Sequence, residues 1–136
     1  SAADSPEKLF KENSGGNKMT TKEIGAWGEA QAAEYLEEQG YFILEKNYSS
    51  KTGELDLILL DSEDTYIFVE VKTRKNEVFG TPGEAVDKKK QQKIRRTALC
   101  FLQGKPAAMR FDVVEVFYYP GAVPEKKELR HIKNAF

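Results

Sequence analysis

Gly53-Glu54-Leu55-Asp56-Leu57-Ile58-Leu59-Leu60, a polar break at Asp61-Ser62-Glu63-Asp64, and then Tyr66-Ile67-Phe68-Val69-Glu70-Val71-Lys72 decide how this chain folds. Both apolar runs are short, rich in branched or aromatic residues and bounded by turn formers, so they predict two adjacent strands of a hairpin. The charges inside them are anomalous for a core. Side chains of a strand alternate between faces, so Ile67, Val69 and Val71 point one way while Phe68, Glu70 and Lys72 point the other. The same alternation sets Asp56 on the face of Glu54 and Ile58, and pairing of the two strands then brings Asp56 beside Glu70. Two carboxylates and one amine converge on a small area.

Such a cluster is costly, because neighbouring carboxylates repel and burial disfavours their charged forms. A hard divalent cation offsets that cost. Oxygen ligands suit Mg²⁺ (or Mn²⁺), and Mg²⁺ takes one or two protein carboxylates, leaving its other positions to water and phosphate. A lysine beside it can orient water or stabilise charge building on a phosphoryl group, which is the chemistry of phosphodiester hydrolysis. The structural alternative is a cross-strand salt bridge among Asp56, Glu70 and Lys72. An acid-x-Lys triplet alone does not decide, since Asp87-Lys89 and Glu125-Lys127 repeat it. Only Glu70-Lys72 lies in an apolar strand with a strand acid upstream and a basic helix downstream.

Asp56 followed fourteen residues later by Glu70-Val71-Lys72 resembles the PD-(D/E)XK nuclease signature. Gly28-Glu29 on a first helix, Gly53-Glu54-Leu55-Asp56, Phe68-Val69-Glu70-Val71-Lys72, Phe79-Gly80, Arg110-Phe111-Asp112-Val113 and the terminal Ala135-Phe136 together resemble the YraN family, in order and spacing from about Lys22 to Phe136. That bacterial family is similar to archaeal Holliday junction resolvases. The resemblance implies a restriction-endonuclease-like fold and a Mg²⁺-dependent endodeoxyribonuclease. Asp56 and Glu70 would be metal ligands, Glu29 a third acid acting through metal or water, and Lys72 the residue that orients the nucleophile. Branched DNA is the substrate class it suggests, and a homodimer the assembly. Leu55 departs from the pattern, because the broader superfamily has proline there; proline shapes that strand and binds no metal. The runner-up is a nucleic-acid-binding protein of nuclease fold without turnover, and a third reading is an RNA-directed role.

A chain of 136 residues with 40% hydrophobic content is the size of one domain. No apolar run approaches the ~20 residues of a membrane span, and the N-terminus lacks the apolar region of a signal peptide. The expectation is a cytoplasmic protein with no membrane partner. One cysteine and one histidine exclude a Cys/His zinc site, a histidine-metal centre and a pair of acid-base histidines. Carboxylates and lysines must do the chemistry. Cys100, among apolar residues of a helical stretch, is expected to be a buried small residue. His131, in an alternating segment that predicts an edge strand, is expected to be a satisfied structural histidine.

Net charge is −1 overall, but residues 21–70 hold twelve acids and three bases, whereas residues 71–110 hold eleven bases and three acids. That asymmetry predicts a basic surface beside an acidic pocket, as a metal-dependent nuclease needs. Residues 1–20 read as a mobile polar tail, within which Met19 offers an alternative native start, and residues 21–136 as the single domain. Thr20 or Thr21 caps a first helix that runs through Gln39 and stops at Gly40, with Ile24, Trp27, Ala32, Tyr35 and Leu36 on its core side and Glu29 at the margin. Tyr41 to Leu44 begins the first strand. Residues 73–83 form a flexible loop carrying Arg74 and Lys75. A second helix is predicted from Glu84 to Gln103, with Val86, Ile94, Ala98, Phe101 and Leu102 facing the core. Lys88, Lys89, Arg95 and Arg96 face outward, Lys90 and Gln91 flank the core stripe, and Lys93 adds a sixth base to a run without an acid. Those seven residues, with Arg74 and Lys75, are the candidate DNA contacts. Strands over Arg110–Tyr118 and Glu128–Lys133 complete an α/β domain with a central mixed sheet.

Overall fold

The computed structural model describes residues 18–75 and 86–136, so the expectations for residues 1–17 and for Phe79-Gly80 lie outside it. Helix α1 (Thr21–Glu38) starts where the capping pattern requires. The Thr20 hydroxyl accepts from the Glu23 amide at 3.1 Å while Glu23 Oε1 accepts from the Thr20 amide at 3.0 Å, closing a capping box. Gly28, Ala32 and Leu36, four residues apart and flanked by Trp27 and Ala33, form its buried stripe. Gly40, at φ +95°, turns the chain out of the helix, a conformation that favours glycine.

Five strands follow: β1 (Phe42–Ser50), β2 (Gly53–Leu60), β3 (Tyr66–Arg74), β4 (Met109–Tyr119) and β5 (Glu125–Ile132). They form one mixed sheet in the order β1-β2-β3-β4-β5, parallel only between β3 and β4. That parallel pair needs a crossover, and helix α2 (Lys88–Leu102) lies in it. The β2–β3 turn forms at Asp61 because its Oδ1 accepts from the Glu63 and Thr65 amides at 2.8 and 2.9 Å.

The helices cover opposite faces of the sheet. Leu57, Leu59, Ile67, Val69, Val114 and Val116 pack under α1, and Leu55, Ile58, Phe68, Phe111 and Val113 under α2 through Ile94, Ala98 and Leu102, joined by Val86 just before the helix. The three-layer α/β arrangement agrees with the restriction-endonuclease-like class expected from the sequence. Helix α2 begins later than its periodicity predicts, because Asp87 is extended and its carboxylate caps the Lys90 amide at 2.8 Å. Strand β5 begins earlier than predicted, at Glu125. Cys100 is exposed, contrary to expectation, since two positions past Ala98 is 200° around the helix from the core stripe.

His131, expected to be a satisfied structural histidine, is only half satisfied: its side chain is 4% exposed and Nε2 lies 2.7 Å from Asp112 Oδ2, but its buried Nδ1 has no hydrogen-bond partner among the described residues. Among the described residues no helix is long and apolar enough to cross a membrane.

Candidate functional site

The β2–β3 ladder runs from Leu60↔Tyr66 to Leu57↔Val69 and then stops, while β3 continues beside β4 as far as Arg74. Beyond that point β3 has lost its backbone partner on the β2 side. Asp56 replaces it: Oδ2 accepts from the Val71 amide at 2.7 Å, so a side chain takes over where the strand ladder ends. Alternation assigned Asp56 to the Ile58 face, and here the structure differs. Leu55 packs in the same cluster as Ile58, three residues apart, so the alternation is broken between them. On the other strand of the hairpin Asn47, between the Lys46↔Leu57 and Tyr48↔Leu55 pairs, takes a left-handed backbone at φ 53°. Asp56 lies near Glu29 of α1, close enough for its charge to raise that carboxyl.

Glu29 reaches Asp56 because α1 comes unusually close to β3. Gly28 is buried, and a Cβ in its place would collide with the Thr73 side chain. On the other side of the fork Glu70 is 7% exposed and pairs through Oε1 with two lysines, Lys72 Nζ at 3.6 Å and Lys90 Nζ at 3.7 Å. Burial, reinforced by the Asp56 charge, raises the Glu70 carboxyl, and the two lysines oppose that rise. Burial likewise pushes the Glu29 carboxyl up to about 7, with the neighbouring Asp56, Glu70 and Glu54 charges adding to it.

A carboxyl raised in the folded state binds its proton more tightly there than in the unfolded chain. Glu29 therefore stabilises the fold most below its unfolded value, and that contribution declines as pH rises from about 4.5 toward about 7 and is level above. Asp56→Asn removes one of the charges responsible, so the Glu29 titration should move to lower pH. Carboxyl carbon NMR titration of both proteins measures this; coincident titrations would show that burial alone sets the value.

In donor chemistry the site fits a hard divalent cation. Asp56 and Glu70 offer oxygen atoms, and the acids repel one another in a way that a cation would relieve. Among the described residues, however, no three His, Cys, Asp or Glu side chains are grouped to hold an ion. The fitting set is the Asp56 and Glu70 pair, with Glu29 behind Asp56.

The basic candidates separate into groups. Lys90 reaches the site, whereas Gln91 Nε2 donates to the Val86 carbonyl at 2.9 Å and holds the approach to α2. Arg74 pairs with buried Glu115, Nε to Oε2 at 3.3 Å. Arg95 lies with its guanidinium 4.7 Å over the Phe111 ring and 5.4 Å over Phe136, so this residue packs the C-terminal segment. Lys75, Lys88, Lys89, Lys93 and Arg96 are exposed. Lys51, which the sequence did not single out, joins Lys90 and Lys93 around a cleft of about 280 Å³ between the β1–β2 turn and α2. The available signal was its place in Ser49-Ser50-Lys51-Thr52-Gly53, the turn that delivers Asp56. Thr52 Oγ1 donates to Thr97 Oγ1 at 3.0 Å and fixes that turn on the helix.

Residues 28–116 match the model of the Uncharacterised protein family UPF0102. Relatives similar along nearly their whole length include UPF0102 proteins of Caldanaerobacter subterraneus subsp. tengcongensis, 46% identical over 88% of this chain and 98% of the relative, and of Syntrophomonas wolfei, 42% identical over 85% and 98%. A UPF0102 protein of Geotalea daltonii is 45% identical over 90% of this chain and 95% of its own. The chain belongs to the UPF0102 family, the YraN family that its motifs resemble.

Proposed function

We propose that this UPF0102 protein is a nuclease that hydrolyses DNA phosphodiester bonds with Mg²⁺ or Mn²⁺ held by Asp56 and Glu70. The observation that carries the reading is the fork itself, where the Asp56 carboxylate replaces a strand at the Val71 amide, with Glu29 and the Glu70–Lys72 pair close enough to interact with its charge or with one another. A bound divalent cation supplies Lewis acidity toward a phosphate oxygen. Lys72 donates from Nζ to the phosphoryl oxygens as charge builds on them. Glu29, beside Asp56, takes the proton of the attacking water at its carboxylate. Lys90, Lys93 and Lys51 hold the adjoining backbone phosphates.

Branched DNA is the first substrate to test, and a homodimer would set two such sites on one junction; both suggestions rest on the resemblance to resolvases. The decisive assay presents purified protein with linear, flapped and four-way DNA in Mg²⁺, Mn²⁺ or chelator. Turnover that requires the metal is expected. A second reading, nucleic-acid binding without turnover, draws support from the two lysines on one Glu70 oxygen. Tight binding with no cleavage in any metal would select it, and competition by RNA would direct the role to RNA.

The exposed face of α2 should supply non-specific affinity. Changing Lys88, Lys89 and Arg96 to Gln should flatten the slope of log affinity against log salt by about 0.9 for each phosphate that is no longer neutralised. Arg95 is left in place because it packs on two rings. The check is a salt titration in Ca²⁺; equal slopes would mean that this face is only solvated.

A further inference from the structure

Two glycines interrupt the first half of α1, and they differ in kind. Gly28 is required by its approach to Thr73, but a Cβ built on Gly25 meets nothing within 4 Å among the described residues. A glycine inside a helix is less stable than alanine, so a position with open space gains nothing internal from it. Its other common use is close approach of the backbone to a ligand. Gly25 borders a cavity of about 520 Å³ between α1 and β3, a size typical of small-ligand sites. Ile24, Val71 and Tyr118 supply its apolar lining, and Lys72 and Lys75 line it with two cations against the single carboxyl of Glu29. Lys72 also pairs with Glu70, so the cavity opens directly beside the carboxylate fork.

An apolar lining, a bare stretch of helix and two cations that outnumber the one acid fit a group that is flat and apolar on its faces and carries a negative charge at one side. We infer that this cavity receives one unpaired nucleobase, stacked against the wall at Gly25, with its phosphate at Lys72 and Lys75. Extracting a base from a duplex costs unstacking and unpairing, and the cost is least where the base is already unpaired. The pocket therefore selects DNA with an unpaired nucleotide next to the reacting phosphate, such as a flap or junction, over continuous duplex. The location of that phosphate rests on the nuclease reading, whereas the test needs no turnover.

Binding of the full chain in chelator is compared for a ten-residue oligothymidylate and an abasic oligonucleotide of equal length and charge. The wild type should prefer the thymidylate by roughly tenfold, the scale of one base stacking on a protein. Gly25→Leu fills the cavity and raises helix propensity, so it should stay folded, keep its affinity for the abasic strand and lose the preference. Gly25→Ala, which adds a single methyl, should weaken the preference in the same sense and covers the case of a misfolded leucine variant. Equal wild-type affinity for the two strands, or a preference that survives Gly25→Leu, would overturn the pocket. Absence of cleavage in every metal with the preference intact would remove the nuclease reading and leave the base site standing.

Discussion

Lys72→Met should lower the rate of DNA cleavage by on the order of 10²–10³-fold, the effect of removing one donor aimed at developing charge. Affinity for the same DNA, measured in Ca²⁺, should change little. Methionine keeps most of the aliphatic stem and Lys72 is about one-third exposed, so packing loses little. The charge is lost beside Glu70, where Lys90 remains as the second cation on the same oxygen. Lys90→Gln is the contrasting change. Lys90 borders the cleft with Lys51 and Lys93, so its loss should weaken binding more than it slows the chemical step. Single-turnover cleavage at saturating protein, with anisotropy binding curves, separates the two effects. A Lys72→Met protein that cuts at the parental rate would reduce Lys72 to a salt-bridge partner of Glu70.

The site was legible in the sequence through a contradiction, three charged residues in two segments otherwise apolar enough to be core strands. What could not be read was the direction of Asp56. Its orientation goes with the place where the β2–β3 ladder stops and its carboxylate takes the Val71 amide, which leaves no periodic trace. The helices were legible because a four-residue stripe and a capping box are local properties. Arg95 shows the limit of that locality, since a helical wheel turns it outward while Phe111 from β4 and Phe136 from the chain end come up beneath it. Lys51 and Gly25 were missed for a related reason: one lies in a turn and the other has no side chain, so only the cavities beside them give them meaning.

Asp112→Ala should destabilise the fold by about 3–5 kcal/mol, the scale for breaking a buried ionic network by removing one partner. Asp112 is fully buried on β4. Its Oδ1 accepts from Arg110 Nε at 2.8 Å and from the Asn134 amide at 2.9 Å, and its Oδ2 from an Arg110 terminal nitrogen at 2.9 Å and from His131 Nε2 at 2.7 Å. Arg110 in turn donates to the Tyr41 hydroxyl at 3.1 Å, so one carboxylate joins β4, β5, the chain end and the segment entering β1. Burial alone would push the Asp112 carboxyl up, but the hydrogen bonds from His131, Arg110 and the Asn134 amide outweigh it and hold it below its usual value. A carboxyl so depressed contributes stability above its unfolded value and loses it as pH falls through the folded one. Wild type should therefore lose more stability on acidification than the alanine variant. Alanine strands the guanidinium, the imidazole and an amide together, whereas alanine at exposed Glu34 on α1 should have little effect. Urea unfolding of the two variants, near neutral pH and below pH 4, measures both differences. In β-sheet register Asp112 stands opposite Val69 and Lys72 opposite Glu115, three pairs further along. Cleavage per folded molecule should then survive a change that costs much of the stability. An Asp112→Ala protein within about 1 kcal/mol of wild type would show that the network only fills space that water could fill as well.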